Sequence, residues 1–268
     1  MSNVYKQFSG IERINGKICP LYEDIVYDLL LTENNSGCSD HKIHDELSRK
    51  VTSSWMDILN RISKKDIPLE KCEDISEFEY TEIIDFKVLE DYDLPEKILK
   101  KYTLETYILL DNTKDQPIVG GSMNFGDNKK EDIIIILKVN PKYSIRTILR
   151  YHMLMNEISS HETTHFIKHI YGMYQKSFVD FKHPEQSERN RLYLKYKHEF
   201  ESNIPMVNTE LKNIKDKLGN ITFGQALQHS RTWNSYVKYV FNVHKDLKNI
   251  MLKKCSYYWT ERLKGKLK

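Results

Sequence analysis

Hydrophobic periodicity changes twice along this chain, and the order of those changes restricts the fold more than any other feature of the sequence. Tyr22, Ile25, Val26, Leu29 and Leu30 recur at steps of three and four, the spacing of one helical face, until Asn34-Asn35-Ser36-Gly37 interrupts them. Ser39-Asp40 can cap a second helix carrying Ile43, Leu47, Val51, Trp55, Ile58, Leu59 and Ile62. Near residue 76 the pattern becomes β-branched and alternating. Candidate strands lie at Glu79 to Leu89, Thr106 to Leu110, Ile118-Val119 and Asp132 to Val139, and turn residues such as Gly120-Gly121 and Gly126-Asp127-Asn128 separate them. Pro141 ends the last strand, and from Ser144 helical spacing returns and persists. Gly172 is a plausible stop, Pro184 and Pro205 bracket a further helix, and Phe223 to Val243 and Leu247 to Leu263 supply the last two. Helices, then strands, then helices imply an α+β fold with a small mixed or antiparallel sheet, not repeated βαβ units.

The expected organisation is a helical N-terminal region over 1–75 and one domain over 76–268. That domain comprises a sheet (76–140), a pair of functional helices (144–207) and a helical C-terminal part (208–268). With 40% hydrophobic and 11% aromatic residues in 268, the chain has ample material for a core. Ten Gly and seven Pro exclude collagen-like or low-complexity character.

The longest aliphatic run, Ile133 to Leu137, is far too short to span a bilayer, and the first residues contain no apolar signal-peptide core. Four cysteines, Cys19, Cys38, Cys72 and Cys255, form no C-x-x-C pair and suit a reducing interior as free thiols. A cytoplasmic location is therefore expected. Release by lysis or packaging in a virion would also leave no signal peptide.

One pentapeptide points to chemistry: His161-Glu162-Thr163-Thr164-His165. With 100° per residue, the two histidines lie about 40° apart on one helical face and one turn apart along the axis. Both imidazoles can then reach one ion, whereas Glu162, about 100° round from His161, can contact a water at that ion. Five residues thus supply two metal ligands and a general base. With 10 His and 38 acids in the chain, about half of them Glu, the match arises by chance roughly 0.02–0.03 times. Two competing metal readings are weaker. His41, His44 and Asp45 occupy a polar first turn and are expected to face solvent. His169 lies one further turn along the same helix, where three ligands from one straight helix surround a tetrahedral ion poorly.

These residues resemble the HExxH zinc metallopeptidases, the zincin superfamily. The metzincin extension fails, because its glycine and third histidine would fall on Lys168 and Tyr171. The gluzincin-like branch takes a third ligand from a Glu on a later helix. Tyr193 to Ile204, with Glu199-Phe200-Glu201-Ser202, resembles the helix that follows HExxH in many small, often phage-encoded predicted metallopeptidases. Ser202 stands there where Ala is commoner. Glu199 shares a helical stripe with Leu192, Tyr196 and Asn203 and ranks ahead of Glu201, which sits beside Lys197 and His198. Glu185, Glu188 and His198 rank behind both.

The resemblance covers roughly Asp132 to Val207. It implies one zinc ion per chain held by His161, His165 and Glu199, Glu162 as general base, and a protein or peptide substrate. An oxyanion stabiliser is also implied, with His229, Arg231 and Tyr236 as candidates. The Gly120 to Asn124 stretch is either a substrate-lining edge or a plain turn.

Charge supports a different reading. The net charge is +3, yet residues 245–268 carry +6 and the remainder −3. Tyr257-Tyr258-Trp259 interleaves aromatics with these lysines, a pattern suited to single-stranded nucleic acid and equally to the apolar side of a terminal helix. The alternative function is therefore a non-enzymatic binding or structural, phage-type protein that contacts nucleic acid or an acidic partner.

Overall fold

The structure is a computed structural model that describes residues 13–14, 17–18, 39–62, 67–72, 81–84, 102–126, 129–170 and 185–264. The expected first helix over Tyr22 to Leu30, the Gly172 stop and Pro184 lie outside these residues. The chain divides into two compact units: Ser39–Tyr174, and Met1–Cys38 together with Gln175–Lys268. To the second unit belong β1 (Arg13–Ile14) and β2 (Lys17–Ile18), which pair antiparallel with Arg13 opposite Ile18.

In the unit Ser39–Tyr174, α1 runs from Ser39 to Ile62 and buries Leu47, Val51, Trp55, Ile58, Leu59 and Ile62, a stripe at helical spacing. The sheet contains β3 (Thr81–Ile83), β4 (Thr103–Leu110), β5 (Ile118–Gly126) and β6 (Lys129–Val139), in the order β3-β4-β6-β5. It is mixed: β4 and β6 are parallel, with Thr103 opposite Asp132 and Leu110 opposite Val139, and the other two pairings are antiparallel. This is the α+β architecture expected from the order of periodicities. The two interior strands differ in burial: β6 buries successive residues on both faces (Ile133, Ile135, Ile136, Leu137 and Val139), whereas β4 alternates, burying Leu104, Thr106 and Ile108. The Trp55 indole donates to the Ile135 carbonyl at 3.4 Å, and Ser54 is hydrogen-bonded to Thr106, so α1 is fastened to the sheet by polar contacts as well as burial.

After β6, α2 (Ile145–Leu149) is capped by the Ser144 hydroxyl, which accepts from the Thr147 amide at 3.3 Å. Next comes α3 (His152–Ile170), which holds the HExxH residues. Met155, Ile158, Phe166 and Ile170 of α3 join the core formed by α1 and the sheet.

The second unit is helical after residue 185: α4 (Gln186–Lys195), α5 (Lys197–Leu218), α6 (Phe223–His229), α7 (Arg231–Tyr239) and α8 (Lys245–Tyr258), with a π-helical turn at Trp259–Lys264. Phe200, Ile204, Val207, Leu211, Trp233, Tyr236, Phe241, Leu247, Met251 and Trp259 form its core.

Three sequence expectations are corrected here. Pro205 does not end a helix but lies inside α5. An interior proline costs about 3 kcal/mol, and burial of Phe200, Ile204, Val207 and Leu211 along the same helix offsets it. The helix expected across 193–204 breaks instead at Tyr196, whose backbone is extended at φ −60°, ψ 131°. The helix expected across 223–243 is two helices broken at Ser230, and a buried carboxylate stabilises that break. Glu210, only 2% exposed, accepts from the Ser230 hydroxyl, from the Thr232 amide at 3.2 Å and from the Thr232 hydroxyl at 2.7 Å. The Ser230 hydroxyl in turn accepts from the Trp233 amide at 3.0 Å, so serine and glutamate together satisfy the first turn of α7.

Burial, which outweighs these hydrogen bonds, raises the Glu210 carboxyl above its ordinary value of 4.5. The folded chain therefore holds this proton to higher pH than the unfolded chain. The contribution to stability is greatest below about pH 4.5 and declines as pH rises through the raised folded value. In urea titrations across this range, the stability difference between wild type and Glu210→Gln should become less favourable to wild type with rising pH. Glu210→Ala should cost about 1–3 kcal/mol below about pH 4.5, because it strands Ser230 and Thr232, and less as pH rises through the raised folded value.

Candidate metal centre on α3

His161 and His165 lie on one face of α3, both buried, with their Nε2 atoms 3.1 Å apart and their rings edge-on at 77°. Glu162 is buried beside them. The remaining sides of this helix are held by two neighbours within the same unit.

On one side lies α1. The His44 Nε2 is 2.9 Å from the Ser160 carbonyl and 3.1 Å from the Thr164 hydroxyl oxygen. Thr164 spends its own proton on the Ser160 carbonyl at 2.9 Å, so His44 is the donor to both oxygens and carries its proton on Nε2. One and two turns further along α1, Ser48 and Thr52 meet the Ser159 hydroxyl at 2.9 and 2.7 Å. Ser159 also donates to the Asn156 carbonyl at 3.0 Å. On the side nearer Glu162 lies β5. A Cβ added at Gly121 would stand 2.3 Å from Ile158 Cγ2, 3.3 Å from the Ile136 carbonyl oxygen and 3.4 Å from Glu162 Cγ. Only glycine admits the helix at this distance from the strand.

Glu199 falls in the first turn of α5, where the positive end of the helix dipole favours a carboxylate. The break at Tyr196 puts Leu192 on a different helix, so the stripe expected to join Leu192, Tyr196, Glu199 and Asn203 does not exist as one face. Within α5, Asn203 still supports this turn, donating to the Glu199 carbonyl at 2.8 Å and to the Tyr236 hydroxyl at 3.2 Å. Tyr236 is fully buried and donates to the Leu194 carbonyl at 2.8 Å, and burial pushes its hydroxyl well above the ordinary tyrosine range. Through these two bonds Tyr236 ties the end of α4 to the first turns of α5. His229 and Arg231, the other two oxyanion candidates, are exposed.

Within the unit Ser39–Tyr174, the two imidazoles of His161 and His165, with Nε2 atoms 3.1 Å apart, are a pair that can hold a metal ion, whereas Glu199 belongs to the other unit. His169 packs its ring on Phe125 and Tyr102, with centroids at 4.7 and 5.7 Å.

No family model, curated protein or solved structure matches this chain.

The expectation that His44 and Asp45 face solvent holds for one of the two. Asp45 is 55% exposed but His44 only 12%, because its ring is engaged with α3, and the side chain of His41 lies outside the described residues. The sequence contains a trace of this docking: His44, Ser48 and Thr52 recur every four residues beside the apolar stripe of α1. Cys72 and Cys255 are free thiols, and Cys19 and Cys38 lie outside the described residues. Of the C-terminal aromatics, Tyr257 is exposed, whereas Trp259 is buried and packs against Phe223 and beneath the Lys215 ammonium. No helix among the described residues is long and apolar enough to cross a membrane.

Gly121→Ala should destabilise the protein by about 1–3 kcal/mol, the usual cost of overpacking. Chemical denaturation followed by circular dichroism measures this, and an unchanged midpoint would show that β5 and α3 separate freely.

Proposed function

We propose that this protein is a zinc-dependent metallopeptidase of the HExxH, gluzincin-like kind, hydrolysing peptide bonds in a protein or peptide substrate. The observation that carries the reading is the buried pair of His161 and His165, their Nε2 atoms 3.1 Å apart with Glu162 buried beside them, and Glu199 is the third ligand we propose. Two nitrogens each about 2.0–2.1 Å from a tetrahedral ion stand about 3.3–3.4 Å apart, close to the 3.1 Å between the two Nε2 atoms. Two imidazoles and one carboxylate are also a donor set typical of catalytic zinc, in which a fourth position stays open.

In this reading His161, His165 and Glu199 hold the ion. Bound zinc supplies a Lewis acid that polarises the scissile carbonyl and brings the pKa of water down to about 7. Glu162 accepts a proton from the attacking water and returns it to the leaving amine. Its buried position beside the histidines keeps bulk water from competing for that proton. Gly120 to Asn124 lie on β5, which ends the strand order of the sheet among the described residues, an edge that can pair with an extended peptide.

Metal content decides the first step. Protein purified without a metal-affinity tag should contain about one zinc per chain by mass spectrometry, and His165→Ala and Glu199→Ala should lose it. Absence of zinc from the wild type, even after dialysis against the ion, would end the reading. Glu162→Gln should keep the metal yet slow cleavage of denatured protein substrates by about 10²–10⁴-fold. Full activity in that variant would remove Glu162 from the chemistry.

A further inference from the structure

A metal site on one helix works only if that helix is held in rotation and axial position, within about 0.5 Å and 10–20°. Apolar packing does this poorly, because aliphatic surfaces slide and rotate at low cost. Hydrogen bonds are directional and do it well. On α3, Ser160 and Thr164 immediately precede the two histidines. At 100° per residue they lie about 60–100° from His161, on the side away from Glu162. His44 donates to both, at 2.9 and 3.1 Å, from a helix more than a hundred residues earlier in the chain.

The Ser160 carbonyl is an unusual anchor, because it also accepts from the Thr164 hydroxyl, a local bond that tends to bend helices. The His44 proton thus sits where that bend is decided. The opposite side of the turn is already limited by Gly121 and Ile158. Glycine and histidine together leave this turn one orientation.

We infer that His44 is a positioning residue for the metal centre, setting the orientation of His161 and His165 through the Ser160 carbonyl and the Thr164 hydroxyl. This rests on the reading of those two histidines as metal ligands. His44 touches neither the ion nor a substrate. Its effect is on how well the two imidazoles converge, and therefore on affinity and coordination geometry.

The test measures zinc affinity by chelator competition, and the visible absorption of the cobalt(II)-substituted protein, for wild type, His44→Ala, His44→Gln, Thr164→Val and Ser48→Ala. His44→Ala should weaken zinc binding by about 10–100-fold, the usual effect of losing an outer partner of a metal site, and should shift the cobalt bands. His44→Gln, whose amide can donate to the same two oxygens, should recover most of the affinity. Thr164→Val removes one acceptor and should shift the cobalt bands in the same direction, which keeps the test decisive if His44→Ala does not fold. Ser48→Ala loosens α1 from α3 at Ser159 without touching Ser160 or Thr164, so it should bind zinc like wild type whatever its melting temperature. Wild-type affinity and spectrum in His44→Ala would overturn the inference, as would an equal loss in Ser48→Ala, since His44 would then serve docking alone. A wild-type protein that takes up neither zinc nor cobalt would overturn it together with the metallopeptidase reading. A wild type that binds metal beside an unaffected His44→Ala would overturn this inference alone.

Discussion

Helix α3 buries seven polar side chains, Glu157, Ser159, Ser160, His161, Glu162, Thr163 and His165, alongside only four apolar ones, Met155, Ile158, Phe166 and Ile170. Removing such groups from water costs about 1–3 kcal/mol for each that finds no partner. Neighbours that can hydrogen-bond along much of its length are therefore a condition of this helix staying buried. The rest of the unit Ser39–Tyr174 follows from that requirement. Helix α1 meets it with a polar edge of its own, His44, Ser48 and Thr52, while its apolar residues reach the sheet. Strand β5 meets it by omitting a side chain altogether at Gly121, so that Ile158 and Glu162 lie against backbone.

The second unit solves a similar problem at two helix starts. Glu210 enters its core because Ser230 and Thr232 supply three donors to its carboxylate, and in doing so it fixes where α7 begins. Tyr236 and Asn203 anchor the opposite end of that core, where the Leu194 carbonyl and the Glu199 backbone are held on either side of the break at Tyr196. In both places a buried polar group determines backbone direction, which apolar burial alone leaves loosely specified. The position of Glu199 in the first turn of α5 is a product of that anchoring.

Much of this was legible in the residues. The strands follow from a single block of β-branched alternation too short for repeated crossover units, but the choice between a mixed and an antiparallel sheet did not, because the parallel pairing of β4 with β6 is a matter of approach between strands. The start of α1 near Ser39 follows from the Ser39-Asp40 cap signal ahead of its apolar stripe. The breaks at Tyr196 and Ser230 were not legible, because each is stabilised by partners distant in sequence: Tyr236 bonding to Leu194, and Glu210 bonding to Ser230 and Thr232. Pro205 misled for the complementary reason. Its local cost is real, but the burial that offsets it comes from the rest of the unit's core. His44 was misread because a histidine in a polar first turn has every local mark of exposure, and its partners lie on α3.

Helical spacing is a local property, so the sequence alone determined that His161 and His165 share a face and that Glu162 stands beside them. No other part of the chain is needed for that geometry. Tertiary structure alone decided that Glu199 opens a new helix after the break at Tyr196. It also decided which side of α3 meets His44 and which meets Gly121. Those are matters of approach between segments far apart along the chain. Such approach depends on the partners that buried polar groups find, and no residue spacing encodes it.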